Sequence, residues 1–332
     1  MSNTTFFSPN DTVLITGGAG FIGSCLAERL VELGVSTTVI DDLSRGSKSN
    51  LKKIRKAIRF IKCDITSSRS LAKIFEGHTI VFNLAALNTG VAYDVGRTEK
   101  MFEDNMLLQM LPLRAAASTK SVHSFIQVSS ASIYSRNVME SEEAILESQD
   151  SGTPEESKLG YAWAKRMGEN LAIWYSQNSR LRTVRARFIN VYGENDHFDD
   201  LGHFISVMIR KFLTAKAQVE VFGSGNQQRS FLHVNDAVEA LLLLAQKGKN
   251  GDVYNVDSGD EYSVSEVVSL IREFTKKQHI HVCFDHDQPE GSQRRLLNSS
   301  KIRKLGWESK VGFDDGLKST INDIARRISK EQ

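Results

Sequence analysis

Cysteine is scarce in this sequence, and neither sign of charge is in excess. The 332 residues include three cysteines, Cys25, Cys63 and Cys283. An odd number of widely spaced cysteines without a CxxC pair argues against both a disulfide framework and a zinc site. Lys and Arg number 42, and Asp and Glu 40, so the chain lacks the basic excess typical of nucleic-acid-binding proteins. We therefore expect no metal site and no nucleic-acid partner.

Long apolar runs and targeting signals are also missing. No apolar stretch approaches the ~20 residues that a helix needs to cross a bilayer. The first residues have neither a basic region nor a long apolar core, so we expect no signal peptide. The sequence has no internal repeat and no low-complexity segment. With the isolated cysteines, these absences favour a soluble cytoplasmic protein without a membrane partner.

What the sequence does contain is a regular alternation of strand and helix patterns. Apolar runs such as TVLI at 12–15 and TIVF at 79–82 alternate with amphipathic helical patterns, as in a parallel sheet covered on both faces. We predict an α/β fold, a Rossmann-like doubly wound parallel sheet with a smaller C-terminal α/β lobe for the substrate. The predicted domains are 1–190 plus about 230–256, and about 191–229 plus 257–332.

Two segments depart from this regular pattern. A long helical pattern from residue 98 contains Pro112, where we expect a kink or a break. Residues 136–158 are polar and acidic. They are interpreted either as a loop near an active site or as a solvated surface excursion.

Residues 14–23, LITGGAGFIG, combine a strand end, a glycine loop and a helix start. Gly17, Gly20 and Gly23 have the spacing that lets a backbone approach a pyrophosphate at a helix N-terminus. The pair 41–42, Asp-Asp, ends the next strand, where a carboxylate accepts hydrogen bonds from an adenosine ribose. This pattern predicts a dinucleotide cofactor. It favours NAD over NADP, because a carboxylate there repels a 2′-phosphate.

Two neighbouring positions leave alternatives open. Arg45, shortly after the acidic pair, would soften the preference against NADP. Asp64, followed by Ile65 at the end of the third strand, either contacts the adenine or caps the helix that begins near residue 67.

Tyr161 and Lys165, in the sequence YAWAK, are one helical turn apart. Alone, such a pair is more typical of a helix surface. However, TGGAGFIG, SSASIY, YAWAK, NVYG and RSFLHVNDAVEA follow one another in this order. With these motifs the chain resembles the extended short-chain dehydrogenase/reductases over nearly its whole length. Within them it is similar to the NAD-dependent nucleotide-sugar epimerases and dehydratases.

The resemblance implies a catalytic group of Ser130, Tyr161 and Lys165. A lysine one turn after the tyrosine lies on the same helix face and favours the tyrosinate. The serine hydroxyl bonds the same sugar hydroxyl. The expected cofactor residues are Gly17, Gly20, Phe21, Ile22, Gly23, Asp41, Asp42, Asp64, Ile65, Leu84, Ala85, Ala86, Asn105, Tyr161 and Lys165. The expected substrate residues are Asn88, Ser130, Asn190, His203, Arg229 and Arg294, and Arg295 is a further candidate for the diphosphate.

The residues at the two positions after Ser130 distinguish the reaction types within the family. The 4,6-dehydratases carry Asp and Glu where this sequence has Ala131 and Ser132, so water loss is not favoured. GDP-mannose 3,5-epimerases and GDP-L-fucose synthases carry a cysteine at the second position, and a serine is a poorer base. The segment 190–212 nevertheless places His203 where the fucose synthases have their general acid, so Ser132 and His203 are further catalytic candidates. The 4-epimerases need only the serine, tyrosine and lysine, although their RxGD motif is PEGS here.

These patterns predict an NAD-dependent nucleotide-sugar epimerase with a transient 4-keto intermediate, and a GDP-sugar is favoured slightly over a UDP-sugar. The alternatives are an epimerase-reductase of the GDP-L-fucose synthase type, a dehydratase, and a non-catalytic nucleotide-binding scaffold. Members of the family commonly pair through two helices per subunit. Here the runs near 100–118 and 160–177 would form a homodimer, with Leu171, Trp174 and Tyr175 on apolar faces, unless those faces pack on the sheet.

Overall fold

A parallel sheet with helices on both faces forms the larger part of the molecule. The computed structural model describes residues 7–68, 71–88, 96–288 and 292–331. The strands are β1 (Thr12–Thr16), β2 (Ser36–Asp41), β3 (Ile58–Lys62), β4 (Ile80–Asn83), β5 (Ser124–Ser130), β6 (Arg182–Phe188), β7 (Asn190–Tyr192), β8 (Gln218–Phe222), β9 (Gln228–His233), β10 (Asp252–Val256), β11 (Glu261–Ser263), β12 (His281–Asp285) and β13 (Arg294–Arg295). The α-helices are α1 (Phe21–Glu32), α2 (Leu71–Phe75), α3 (Thr98–Ser118), α4 (Arg136–Met139), α5 (Leu159–Asn178), α6 (Phe204–Thr214), α7 (Val234–Lys247), α8 (Val264–Phe274), α9 (Ser300–Arg303) and α10 (Phe313–Glu331).

The main sheet has the strand order β10-β6-β5-β4-β1-β2-β3, and its neighbouring strands are parallel. Helices α1 and α7 cover one face, and α2, α3 and α5 cover the other. The order reverses between β1 and β4, which opens a crevice at the carboxyl ends of these strands. The predicted doubly wound fold is confirmed, and the glycine loop after β1 lies at the crevice.

The strands of this sheet are apolar because both faces are buried. In β1, Val13, Leu14 and Ile15 have no exposed surface. Val13 and Leu14 belong to the cores on opposite sides of the sheet, as the alternation of side chains along a strand requires. Just beyond α1, Gly34 adopts φ = +75°, a left-handed conformation that glycine takes without strain.

A smaller unit of sheet and helices follows β6. In it β9 lies between β11 and β13 and also pairs with β7, while β8 pairs with β12. Helices α6, α8 and α10 supply a separate core that includes Ile209, Val267 and Leu317. This is the smaller α/β lobe expected from the sequence. The domain boundaries stay a prediction: β9 belongs to the smaller sheet, whereas α7, directly after it, packs on the main sheet.

Helix α3 contains Pro112 but does not break there. A proline leaves the carbonyl oxygen four residues earlier, that of Leu108, without its helical donor. The side-chain amide of Asn83 donates to this oxygen at 3.1 Å. The hydroxyl of Thr16 donates in turn to the amide oxygen of Asn83 at 2.6 Å. The expected break is absent because the sheet supplies the missing donor. No helix of the described ranges is long and apolar enough to span a membrane.

Residues 136–158 are anchored to the main sheet. The side-chain amide of Asn255 in β10 donates to the carbonyl oxygen of Ile145 at 2.8 Å, and its backbone N–H donates to the carboxylate of Glu147 at 2.9 Å. The N–H of Glu155 donates to the carbonyl oxygen of Ser132 at 3.0 Å. The segment therefore passes beside the end of β5, in keeping with a loop near the active site.

A buried ion cluster joins α5 to β5 and β6. The carboxylate of Glu169 receives hydrogen bonds from Arg187 at 2.7 and 2.9 Å, from Arg185 at 3.3 Å and from the hydroxyl of Ser129 at 2.5 Å. Burial opposes ionisation of Glu169, but the two guanidinium groups outweigh it and lower the pKa of this carboxyl. Glu169 follows Lys165 by one helical turn. The cluster therefore fixes the position of Lys165 relative to the end of β5.

Glu169→Gln should lower the free energy of unfolding by about 3 kcal/mol, because Arg185 and Arg187 lose the charge that compensates their burial. Urea unfolding followed by circular dichroism at neutral pH measures this loss. The pKa of Glu169 is lower in the folded than in the unfolded chain. Its contribution is therefore lost as the pH falls, and the two proteins should converge in acid.

The matched control is Glu32→Gln, which removes the partner of Arg29 in a pair whose side chains are 36% and 55% exposed. This change should cost less than about 1 kcal/mol. An equally small loss for Glu169→Gln would contradict the role given to the cluster.

Candidate active site

The glycine loop allows α1 to begin directly against β1. Gly17 has φ = +66°, and the N–H of Gly20 donates to the carbonyl oxygen of Gly17 at 3.2 Å. A Cβ on Gly23 would lie 2.7 Å from the Cα of Gly18 and would overlap the carbonyl oxygen of Gly17. A side chain is therefore excluded there, and the N-terminal turn of α1 opens on a cavity at the carboxyl edge of the sheet.

One cavity is lined by all but one of the residues expected to hold the cofactor. They are Gly17, Gly20, Phe21, Ile22, Gly23, Asp41, Asp42, Asp64, Ile65, Leu84, Ala85, Ala86, Tyr161 and Lys165. The exception is Asn105, which has no exposed surface and bonds the N–H and the carbonyl oxygen of Leu87 at 2.9 and 3.0 Å. Asn105 thus shapes the cavity through Leu87, which lines it.

Asp41 ends β2 at the wall of the cavity. Its carboxylate accepts hydrogen bonds from the N–H of Ala19 at 3.0 Å and of Leu43 at 2.8 Å. Burial nevertheless raises the pKa of Asp41. A carboxylate can accept about four hydrogen bonds, so two backbone donors leave room for ribose hydroxyls.

Arg45 and Asp64 are both engaged within the protein. The guanidinium of Arg45 forms two hydrogen bonds, at 2.8 and 3.2 Å, with the carboxylate of Asp199. A 2′-phosphate at the ribose would have to compete with that carboxylate, which weakens the case for NADP. Asp64 accepts from the N–H and the hydroxyl of Thr66. It therefore holds a local turn and does not cap a helix near residue 67, since α2 begins at Leu71, and it also lines the cavity.

Tyr161 and Lys165 lie on the first turns of α5 and face the cavity. The ammonium of Lys165 donates to the carbonyl oxygen of Val128 at 2.8 Å and lies 5.7 Å from the centre of the Tyr161 ring. Burial lowers the pKa of Lys165 to about 7, against a smaller opposing effect of Glu169. A lysine in this state can lose or gain its proton at neutral pH.

Ser130 is the last residue of β5 and caps the 3₁₀ turn Ala131–Ile133. Its hydroxyl accepts the N–H of Ser132 at 3.2 Å and donates to the hydroxyl of Ser132 at the same distance. Ser132 is buried, and Ala131 brings no polar group. The two serines thus form a hydroxyl pair without a carboxylate at either of the positions that follow Ser130.

The structure brings two of the substrate candidates together. Asn88 and His203 line the same cavity as Tyr161, and their side chains lie 3.1 Å apart. Two residues that the sequence reasoning missed complete this group, Asp196 beside His203 and Lys158 beside Asn88. Lys158 lies in a segment without a recognisable motif, and Asp196 lies between the NVYG motif and His203, so only the tertiary contacts identify both as site residues.

Strand β13 directs the two neighbouring arginines of the tail, Arg294 and Arg295, to opposite faces of the smaller sheet. Arg295 is the register partner of Arg229 in the parallel pair β13–β9, so both point to the same face. Arg294 points to the opposite face, where Glu261 binds it at 2.5 and 2.7 Å. Arg295 is bound by Glu155, a buried residue. The geometry therefore favours Arg295 over the predicted Arg294 as the partner of Arg229.

Asn190 and Arg229 also make contacts within the smaller sheet. The amide of Asn190 donates to the carbonyl oxygen of Ser230 at 2.9 Å, and Arg229 donates to that of Gln228 at 2.8 Å. Asn190 therefore joins β7 to β9. Its predicted contact with the substrate, like that of Arg229, stays a prediction.

The cavity as a whole fits a dinucleotide of the NAD type. The glycine loop leaves space for phosphates at a helix N-terminus, which attracts anions. Asp41 offers acceptors for a ribose, and Tyr161 with Lys165 offers a proton-transfer pair in the same cavity. Such a site can deprotonate an alcohol while the cofactor accepts a hydride.

Comparisons with known proteins agree with this chemistry. The family model described as the NAD dependent epimerase/dehydratase family matches residues 13–257. A dTDP-D-glucose 4,6-dehydratase of Homo sapiens is 32% identical, over 93% of this chain and 88% of that protein. A UDP-N-acetyl-alpha-D-glucosaminuronate decarboxylase of Bacillus cytotoxicus is 30% identical, over 93% and 96%. The solved structure of a Thermus thermophilus UDP-glucose 4-epimerase with NAD is similar with a TM-score of 0.81 and 25% identity, over 95% of this chain and 99% of that one.

Gly23→Ala should weaken NAD binding at least about tenfold, because its Cβ pushes α1 away from the glycine loop and the phosphates. Isothermal titration calorimetry with NAD measures this, and circular dichroism checks that the variant is folded. Gly312→Ala is the matched control, since a Cβ there meets no atom within 4 Å. Unchanged NAD affinity in a folded Gly23→Ala protein would overturn the assignment of the glycine loop, residues 17–23, as the site of the cofactor phosphates.

Proposed function

Since the chain belongs to the NAD-dependent epimerase/dehydratase family, we propose that it is an epimerase of nucleotide-diphosphate sugars that works through a transient 4-keto intermediate. One observation carries this proposal. Ser130, Tyr161 and Lys165 supply the groups for reversible oxidation, whereas Ala131 and Ser132 offer no carboxylate for the loss of water. The similarity to a UDP-glucose 4-epimerase supports it.

In this function Tyr161 takes the proton from the 4-hydroxyl of the sugar, and Ser130 holds that hydroxyl by a hydrogen bond. NAD, held by the glycine loop and Asp41, would supply the acceptor and later the donor of the C4 hydride. The charge of Lys165 favours the tyrosinate. Because its pKa lies at about 7, Lys165 also passes a proton readily at neutral pH. The hydrogen bond to Val128 keeps the ammonium group next to the tyrosine ring.

An epimerase-reductase of the GDP-L-fucose synthase type is the second candidate. The observation that favours it is His203, which lies in the cavity with Tyr161 and bonds the buried carboxylate of Asp196. A dehydratase is less favoured, because Glu155, whose backbone lies against Ser132, is engaged by Arg295. A non-catalytic scaffold would have no need for the complete set of serine, tyrosine and lysine.

We place the diphosphate of the substrate between Arg229 and Arg295, which share one face of the smaller sheet. Guanidinium groups bind phosphate through paired, charge-assisted hydrogen bonds. The diphosphate would have to displace or share the Glu155 carboxylate at Arg295. A GDP-sugar stays slightly favoured on the segment 190–212 and the tail that ends at Trp307.

A panel of UDP-, dTDP- and GDP-hexoses tests the function. The NAD-loaded protein should convert at least one of them to an epimer, and Tyr161→Phe should slow this by at least about 100-fold. Product sugars are identified by NMR. Tyr175→Phe is the matched control, because Tyr175 lies on the same helix but packs against the core below it. Full turnover in Tyr161→Phe, or none with any sugar in the native protein, would refute the proposal.

We also propose that the protein forms a homodimer through α3 and α5. Leu107, Trp163 and Trp174, on these two helices, are 37%, 36% and 53% exposed. Exposed large apolar side chains on adjacent helices are typical of an interaction site. Leu171 and Tyr175, expected on the same faces, instead pack against the core between the helices and the sheet.

Trp174→Lys should convert the dimer to a monomer in sedimentation velocity, because it would bury a charge in an apolar interface. Phe222→Lys is the control, since Phe222 is similarly exposed at 47% but lies on β8. A native protein that sediments as a monomer at all concentrations would contradict the dimer.

A further inference from the structure

Four side chains from separate parts of the chain form one hydrogen-bonded line in the active site. Nδ1 of His203 lies 2.9 Å from the carboxylate of Asp196, and Nε2 lies 3.1 Å from Nδ2 of Asn88. The amide oxygen of Asn88 accepts a hydrogen bond from Nζ of Lys158 at 2.9 Å. The same Nζ lies 5.9 Å from the centre of the Tyr161 ring. The line therefore ends beside the tyrosine that removes the hydroxyl proton.

The chemistry of Lys158 fixes the proton positions along this line. A lysine ammonium has donors only, so the group of Asn88 that faces Lys158 must be its oxygen. The NH2 group of Asn88 then faces Nε2 of His203, which must accept and therefore carries no proton. The remaining proton of the neutral imidazole is on Nδ1, where Asp196 accepts it. The general acid implied by the family resemblance would need a proton at the position that Asn88 occupies.

The other groups around His203 do not impose this state. Asp196 is fully buried and would favour an imidazolium, but its carboxylate also accepts from the hydroxyl of Ser206 at 2.7 Å and from the N–H of His197 at 2.8 Å. Phe21 contributes an apolar ring 6.2 Å away, and the side chain of His197 also lines the cavity. Among these groups, the orientation of the Asn88 amide is what keeps a proton from Nε2.

We infer that Lys158 is a positioning residue that, by orienting the Asn88 amide, keeps Nε2 of His203 unprotonated, so that His203 enters the reaction as a proton acceptor. The acceptor step rests on the proposed function. In the acceptor step, a C–H bond on the carbon beside the 4-keto group breaks. The electron pair of that bond forms the enolate, and the proton moves to Nε2 of His203. The proton on Nε2 exchanges with water, and the enolate turns over in the site. Nε2 then delivers a proton to the opposite face of the enolate, which restores the ketone with that carbon inverted.

The inference predicts what happens when the ammonium group is removed. Without Lys158 the Asn88 amide is free to rotate and present its oxygen to His203, where it would accept a proton on Nε2. Lys158→Met should therefore populate Nε2–H or doubly protonated forms of His203 at neutral pH. Lys158→Arg should keep the native state, because a guanidinium also has donors only.

Long-range ¹H–¹⁵N correlation NMR of the full chain, with ¹⁵N-labelled histidine, reads these states directly. The His203 signals are assigned by comparison with His203→Gln. We expect the Nδ1–H form in the native protein and in Lys158→Arg, and Nε2–H or doubly protonated forms in Lys158→Met. His78, whose Nε2 faces Thr38, should be unchanged in all of them. An Nε2–H or charged His203 in the native protein at neutral pH, or identical spectra for Lys158→Met, would overturn the inference.

Deuterium uptake from D2O into the sugar during turnover tests the acceptor step. Uptake at a carbon beside C4 should fall at least about tenfold in Lys158→Met at neutral pH, recover as the pH rises, and be retained in Lys158→Arg. Inversion at C4 without any uptake would overturn the acceptor step while leaving the proposed function standing. No turnover with any sugar would refute the proposed function, and the NMR experiment on the resting protein would still decide the role of Lys158.

Discussion

The ion cluster around Glu169 is the interaction on which the geometry of the active site depends. Charge-assisted hydrogen bonds in a dry interior permit little displacement, so α5 cannot shift along β5 and β6 without breaking the hydrogen bonds between Glu169 and Arg185, Arg187 and Ser129. Lys165 and Tyr161 lie one and two turns before Glu169 on that helix, and Ser129, which donates to the same carboxylate, directly precedes Ser130. The carboxylate of Glu169 therefore links the strand end that carries Ser130 to the helix that carries Tyr161 and Lys165.

The same requirement, that every buried polar group finds a partner, explains where the structure departs from local expectation. A proline should end a helix, yet Pro112 does not, because Asn83 at the end of β4 donates to the carbonyl oxygen that the proline leaves unpaired. Asn105 is expected from the sequence to contact the cofactor, yet its amide hydrogen-bonds the N–H and the carbonyl oxygen of Leu87 instead. In both cases a side-chain amide serves the backbone around the cleft, although Asn105 is a cofactor residue in the sequence-based prediction.

Patterns of local origin were enough to predict the doubly wound fold, the glycine cradle and the tyrosine–lysine pair, because each depends on residues within one strand–helix unit. Pairings between distant segments were not accessible in the same way. Arg294 and Arg295 are adjacent and chemically equal, and only the register of β13 against β9 decides which of them shares a face with Arg229. Likewise, nothing near Lys158 indicates a site residue until Asn88 is found beside it.

Local motifs and distant contacts place different parts of the proposed active site. The groups proposed to take the hydroxyl proton, Ser130, Tyr161 and Lys165, come from β5 and α5, and local motifs indicate them. The groups proposed to lie beside the sugar come from four separate places: the segment after β4, the turn before α5, the segment after β7 and the start of α6. We infer that their chemical state depends on contacts among them, as the proton position on His203 depends on Asn88 and Lys158. On this inference, chains with the same serine, tyrosine and lysine differ in product through the hydrogen-bond donors beside the sugar, which only the tertiary structure brings together.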